Sequence, residues 1–269
     1  MKIIENKIID FHAHVFPEEI AEKAVKHIGD HYKIKMHGKG TLSDLVQSAE
    51  KSGIDHIIIH STATKASQVK AINDWVASHA SERLIGFGTL HPDMPDPEDE
   101  IERIIALGLK GIKLHPDFQG FNADDPKMDK IYSLIENRLP VLIHCGDAIL
   151  DNSSPRRIAN VLDRFPRLTI IAAHLGGHSK WQESMECLVG RNLYMDTSSA
   201  VRFMDLDLAE KIIKEHGTKR IVFGTDYPIV YHGEELEVFD RLDLSETERE
   251  DILYNNAAEI LGLSSDNKH

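Results

Sequence analysis

Short apolar runs recur along the chain, and each is followed by a stretch in which apolar positions return every three or four residues. The runs predict strands over Ile8–Phe11, His56–His60, Leu84–Leu90, Gly111–His115, Val141–His144, Thr169–His174, Leu193–Thr197 and Arg220–Thr225. The intervening stretches predict helices over Thr41–Ser52, Ser67–His79, Pro97–Leu107, Pro126–Asn137, Ser154–Phe165, Lys180–Val189 and Asp205–His216, with Ser245–Leu261 last. Ser245 and Glu248 stand at capping-box spacing there. Val141–Ile143 and Thr169–Ala173 are apolar without alternation, which suits parallel strands covered on both faces. Eight βα units favour a single (β/α)8 TIM barrel over an open doubly wound sheet. No Gly-x-Gly-x-x-Gly follows the first strand, so a dinucleotide fold gains no support.

Composition narrows the classes further. The 269 residues are 41% hydrophobic and 28% charged, as in ordinary globular proteins, and the expected organisation is one barrel domain over residues 1–269. Ile20–Gly40, with His27, His31 and His37, reads as an insertion after the first strand. A net charge of −13 repels phosphate backbones, so no nucleic-acid partner is expected. Apolar runs such as Ile57–Ile59 fall far short of the about 20 residues of a membrane helix, so no membrane partner is expected either. Met1–Asp10 lacks the long apolar core of a signal peptide, and Cys145 and Cys187 read as reduced thiols, so the expected location is the cytoplasm. The expected partner is a small-molecule substrate; a homo-oligomer stays open.

The 16 histidines carry the chemical signal. In a barrel the active site lies where strands end. The first strand ends in Asp10-Phe11-His12-Ala13-His14, the fifth at His144, the sixth at His174 and the eighth at Asp226. His12 and His14, two apart on a strand, point the same way. A third imidazole from His144 and the Asp226 carboxylate would complete a mixed nitrogen and oxygen site for a divalent ion. His60 and His91 read as capping or loop hydrogen-bonding residues, whereas His115 divides evenly between that role and the site, because it shares a face of strand four with Lys113. Cys145 points away from His144 and reads as packing. Asp196 is placed to orient a histidine, and Asp10 to sit beneath the site. Arg202, Arg156 and Arg157 read as clamps for a substrate carboxylate or as solvated helix-end charges.

The motifs Asp10-Phe11-His12-Ala13-His14, Gly111-Ile112-Lys113-Leu114-His115-Pro116, Pro140-Val141-Leu142-Ile143-His144, Ala173-His174-Leu175-Gly176-Gly177 and Phe223-Gly224-Thr225-Asp226-Tyr227-Pro228 resemble those of the amidohydrolase superfamily. The similar branch is the amidohydrolase-related (amidohydrolase 2) group that includes aminocarboxymuconate semialdehyde decarboxylase relatives, whose last helix resembles Ile252–Leu263. The resemblance implies a divalent metal held by His12, His14, His144 and Asp226, with His174 beside it as an acid/base or electrophilic residue. It also brings an alternative, since binuclear members carry a carbamylated lysine at the end of strand four, where this chain has Lys113. His115 lies on the same face and nearer the strand end by about 6.6 Å of rise, which favours one ion. Zinc is the first expectation, with manganese or another first-row ion as alternatives.

The leading expectation is hydrolysis of a small ester, lactone or amide by metal-activated water, with Asp226 taking the proton and His174 bonding the oxyanion. The alternative is non-oxidative decarboxylation at the same site. A non-catalytic metal-binding barrel is the second alternative. Lys113, His115 and Arg202 are the candidate substrate contacts.

Overall fold

The computed structural model describes residues 7–263. Its strands are β1 (Ile9–His14), β2 (His56–His60), β3 (Leu84–Thr89), β4 (Gly111–Leu114), β5 (Val141–Ile143), β6 (Ile170–Ala172), β7 (Tyr194–Asp196) and β8 (Ile221–Val222). Each is hydrogen-bonded to the next in chain order. From β3 to β7 the pairs are parallel, with Phe87 beside Gly111, Ile112 beside Val141, Val141 beside Ile170 and Ile171 beside Tyr194. The last strand returns to the first. Phe11 N donates to Phe223 O at 2.8 Å and His14 N to Tyr227 O at 2.7 Å, and Ala13 and Tyr227 form a parallel bridge. With helices between the strands, this is the (β/α)8 barrel that the apolar pattern predicts.

By internal contacts the chain separates into two compact units, Met1–Ile58 with Thr197–His269, and Ile59–Asp196. The boundaries fall inside β2 and just after β7. In the second unit β5 and β6 are wholly buried, as their unbroken apolar sequences require. Helix Pro97–Ala106 turns Ile101 and Ile104 fully inward, each contributing roughly 1.5–3 kcal/mol of burial. Asn73, buried on helix Val69–His79, donates through Nδ2 to Thr89 O and Glu100 Oε1 and accepts from Thr89 N, tying that helix to the end of β3.

Several boundaries differ from expectation for physical reasons. β1 runs on to His14, so both histidines lie inside the strand. β6 stops short of His174, because His174 (φ 63°) and Leu175 (φ 49°) are left-handed and cannot continue a ladder, and β8 is confined to Ile221–Val222. The supposed insertion contains helix Glu18–Tyr32, which begins after Pro17 with two glutamates in its first turn. Ser245 caps as expected, but the last helical stretch is divided into Glu246–Glu250, a π-helical turn over Asp251–Asn255 and Asn256–Leu261. Helices Pro116–Gln119 and His232–Phe239 were not expected.

Gln119 fixes the end of β4. Its Nε2 donates to Ala63 O at 2.9 Å and Leu90 O at 2.8 Å, and its Oε1 accepts from His115 N at 2.8 Å. One buried amide thus ties together the segments that follow β2, β3 and β4. Gln119→Leu keeps the bulk and strands three backbone groups, so a loss of about 3 kcal/mol is expected in urea unfolding. A midpoint equal to wild type would remove Gln119 from this role.

Candidate metal centre

In the unit formed by the two chain ends, β1 places His12 and His14 on one face, and the left-handed residue after β8 supplies Asp226. His12 Nε2 and His14 Nε2 lie 3.2 Å apart, and Asp226 Oδ1 is 3.4 Å from each. Donor atoms around a tetrahedral zinc at about 2.0–2.1 Å stand about 3.3 Å from one another, and around an octahedral ion about 3.0 Å. The two nitrogens and the oxygen therefore already have the spacing of metal ligands. Two imidazole lone pairs and a carboxylate facing one another also need a cation or protons between them, which is the chemistry of a divalent site.

Buried polar groups behind these three hold them in place. Asp10 Oδ1 accepts from His12 N and Thr225 N, both at 3.0 Å, and its Oδ2 accepts from Thr225 Oγ1 at 2.6 Å. His232 Nε2 approaches the same oxygen at 3.1 Å, while its Nδ1 lies 2.8 Å from Ser48 Oγ. Asp10 thereby links β1 to the segment that carries Asp226, whose own N donates to His12 O at 2.9 Å. On the other side of His12, Nδ1 lies 3.0 Å from Ser198 Oγ, and both residues are fully buried.

The second unit gathers His115, His144, His174 and His178. His144 Nδ1 and His174 Nε2 lie 2.9 Å apart. The His144 ring stacks on His115 at 3.9 Å between centroids, and His115 stacks in turn on Phe118 at 4.1 Å. Burial, followed by the charges of His115, His174, Lys113 and His178, holds the His144 imidazole well below the usual histidine range. It is therefore neutral, as a ligand must be.

The left-handed turn of His174 and Leu175 is unfavourable by about 1–2 kcal/mol per residue, and four side-chain hydrogen bonds offset that. His174 N donates to Asp196 Oδ1 at 2.9 Å, Trp181 Nε1 to His174 O at 3.0 Å, Ser184 Oγ to Leu175 O at 2.9 Å and Cys145 Sγ to Gly176 O at 3.0 Å. Asp196 thus steadies the backbone of His174, in keeping with its expected role of orienting a histidine.

Cys145 packs, as expected, and burial pushes its thiol up and away from reactivity. Lys113 lies fully buried in β4. His115 caps helix Pro116–Gln119, its Nδ1 accepting from Phe118 N at 3.3 Å, so in the neutral ring the proton sits on Nε2. That leaves the nearby group of His115, Asp117 and His144 poorly suited to a cation, although their donor atoms lie within 4.8 Å of one another. Arg202 binds Glu235, with Nε donating to Oε2 at 3.1 Å and Nη2 to Glu234 O. Burial, opposed by Arg202, raises the Glu235 carboxyl to about 8. Arg156 N donates to Glu183, and Arg157 pairs with Asp124 and Asp151.

Sequence reasoning missed Ser198, Thr225, His232 and Trp181. The hydroxyl-rich tract Asp196-Thr197-Ser198-Ser199 directly after β7 was the available signal for the first.

The amidohydrolase family model matches residues 9–263. A 2-amino-3-carboxymuconate-6-semialdehyde decarboxylase from Dictyostelium discoideum is 26% identical over 243 residues, covering 71% of this chain and 66% of its own length. The chain thus spans just under two thirds of that relative. Among solved structures, a dihydroxybenzoic acid decarboxylase from Polaromonas sp., with bound manganese and the inhibitor 2-nitroresorcinol, superposes with a TM-score of 0.73 at 18% identity, covering 98% of this chain and 99% of that one. A probable 2-pyrone-4,6-dicarboxylic acid hydrolase from Acinetobacter baumannii, with citric acid bound, gives a TM-score of 0.70 at 17% identity, covering 95% and 99%. These two likenesses attest a common barrel. With the family model matching nearly the whole described chain, the protein belongs to the amidohydrolase family.

Proposed function

We propose that the protein is a metal-dependent carboxy-lyase that releases carbon dioxide, without an oxidant, from a small unsaturated or aromatic carboxylic acid. The observation that carries this reading is the 26% identity to a decarboxylase acting on such an acid. His12, His14, His144 and Asp226 are the proposed ligands of one divalent ion. Zinc is the first choice for three imidazoles and a carboxylate, with manganese, seen in the Polaromonas structure, as the alternative. When bound, the ion supplies a Lewis acid that polarises substrate oxygens and lowers the pKa of a bound water.

The chain's own groups handle the proton. In decarboxylation the bond between the substrate carbon and its carboxylate breaks, the electron pair stays on that carbon, and a proton takes the place of carbon dioxide. His174 is the proposed donor, its imidazole aimed by the clamped turn and in contact with His144. Asp226 is the proposed relay that takes up a solvent proton and passes it on to replace the one His174 gives to the carbon, so that no water is consumed and no hydroxide is left over. A reduced, cytoplasmic setting suits the free thiols Cys145 and Cys187.

Hydrolysis of a small lactone or ester is the second reading, supported by the shared barrel of the Acinetobacter hydrolase. The two differ in products. A panel of unsaturated and aromatic acids, lactones and esters, followed for carbon dioxide release and for uptake of ¹⁸O from water, separates them. Carbon dioxide from an acid with no ring opening or ester cleavage is expected; lactone or ester cleavage without it would reverse the assignment.

Purified protein is expected to hold about one divalent ion per chain and to lose turnover on chelation. His144→Ala is expected to release that ion on dialysis. Retention of a full equivalent at wild-type affinity would remove His144 from the ligand set.

A further inference from the structure

An imidazole that binds a metal through Nε2 must carry its proton on Nδ1, and that proton needs an acceptor. His12 Nε2 faces His14 Nε2 at 3.2 Å and Asp226 Oδ1 at 3.4 Å, so the ligand side of the ring is defined. On the opposite side, Nδ1 lies 3.0 Å from the hydroxyl of Ser198, with both side chains fully buried. We propose that Ser198 is a positioning residue that fixes the tautomer of His12, its Oγ accepting the Nδ1–H and leaving the Nε2 lone pair as the metal ligand. This rests on the reading of His12 as a ligand.

The surroundings are built for the contact. The neighbouring Thr197 is joined to the β8 segment twice, its N donating to Val222 O at 3.0 Å and its Oγ1 accepting from Gly224 N at 3.2 Å. Gly224 lies between the two partners, where a Cβ would come within 3.0 Å of His12 Cβ and 3.1 Å of Ser198 Cβ. Any larger residue at 224 would push histidine and serine apart. The opposite polarity, with Ser198 donating to Nδ1, would put the proton on Nε2, between the atoms that are to share an ion. A hydroxyl also sets the ring without adding another carboxylate to a cluster that already holds Asp10 and Asp226.

The test measures the tautomer and the metal affinity separately. In metal-free protein labelled with ¹⁵N-histidine, the His12 ring signals, assigned with His12→Gln, are expected to report the Nδ1–H form in wild type and Ser198→Thr. In Ser198→Ala they are expected to move toward the Nε2–H form. Zinc affinity, read by competition with a chromophoric chelator, is expected to weaken about 10–100-fold in Ser198→Ala and to be retained in Ser198→Thr. A Ser198→Ala protein with an unchanged His12 tautomer, or with wild-type zinc affinity, overturns the proposal. If wild type takes up neither zinc nor manganese, the metal reading fails, and the tautomer measurement alone decides what Ser198 does.

Discussion

Asp226→Asn is expected to lower kcat by about 10²–10⁴-fold, the range for loss of a general acid or base, while much of the bound metal stays. The amide keeps an oxygen at the position that now stands 3.4 Å from His12 Nε2 and His14 Nε2. What it loses is the ability to take and return a proton. The backbone is already committed to this placement, since Asp226 sits in a left-handed conformation with its N bonded to His12 O. Metal content by elemental analysis beside steady-state turnover separates the two roles. Turnover near wild type would take Asp226 out of the proton chemistry, and parallel loss of metal would make it chiefly a ligand.

Asp10→Ala is expected to produce the largest loss of stability. The carboxyl is fully buried and accepts from His12 N, Thr225 N and Thr225 Oγ1, with His232 Nε2 beside it. Removing it leaves three donors and an imidazole without their acceptor, a loss of about 3–5 kcal/mol. For a chain of this size each kcal/mol moves Tm by about 2–4 °C, so a fall of about 6–20 °C is expected. Asp10→Asn retains one acceptor oxygen and should fall between the two. A thermal midpoint for Asp10→Ala within error of wild type would show that the links between β1 and the segment after β8 are held by backbone bonds alone.

The barrel was legible because its strands announce themselves. Val141-Leu142-Ile143 and Ile170-Ile171-Ala172 are apolar on both faces, and each is buried as such a run must be. His12 and His14 were legible for the same reason, since a strand's two-residue period puts them side by side. Helix Glu18–Tyr32 was missed although Pro17, Glu18 and Glu19 are start signals, because Ala21 is its one buried residue and so small a core-facing stripe is a weak signal in sequence. The turn at His174 could not be read. No local signature marks a left-handed histidine followed by a left-handed leucine; what holds them are Asp196, Trp181 and Ser184, which become neighbours through folding. Ser198 was hidden likewise, since its contact spans 186 positions of sequence.

The two compact units differ in how the ribosome delivers them. Ile59–Asp196 is one uninterrupted run, so the group around His144 and His174 has all its parts once that run has been synthesised. The other unit is assembled from opposite ends of the chain. His12 and His14 are translated early, yet the serine and the carboxylate beside them arrive only with residues 198 and 226. The two imidazoles are therefore translated ahead of the serine and the carboxylate, and the triad of His12, His14 and Asp226 is complete only once residue 226 has been made.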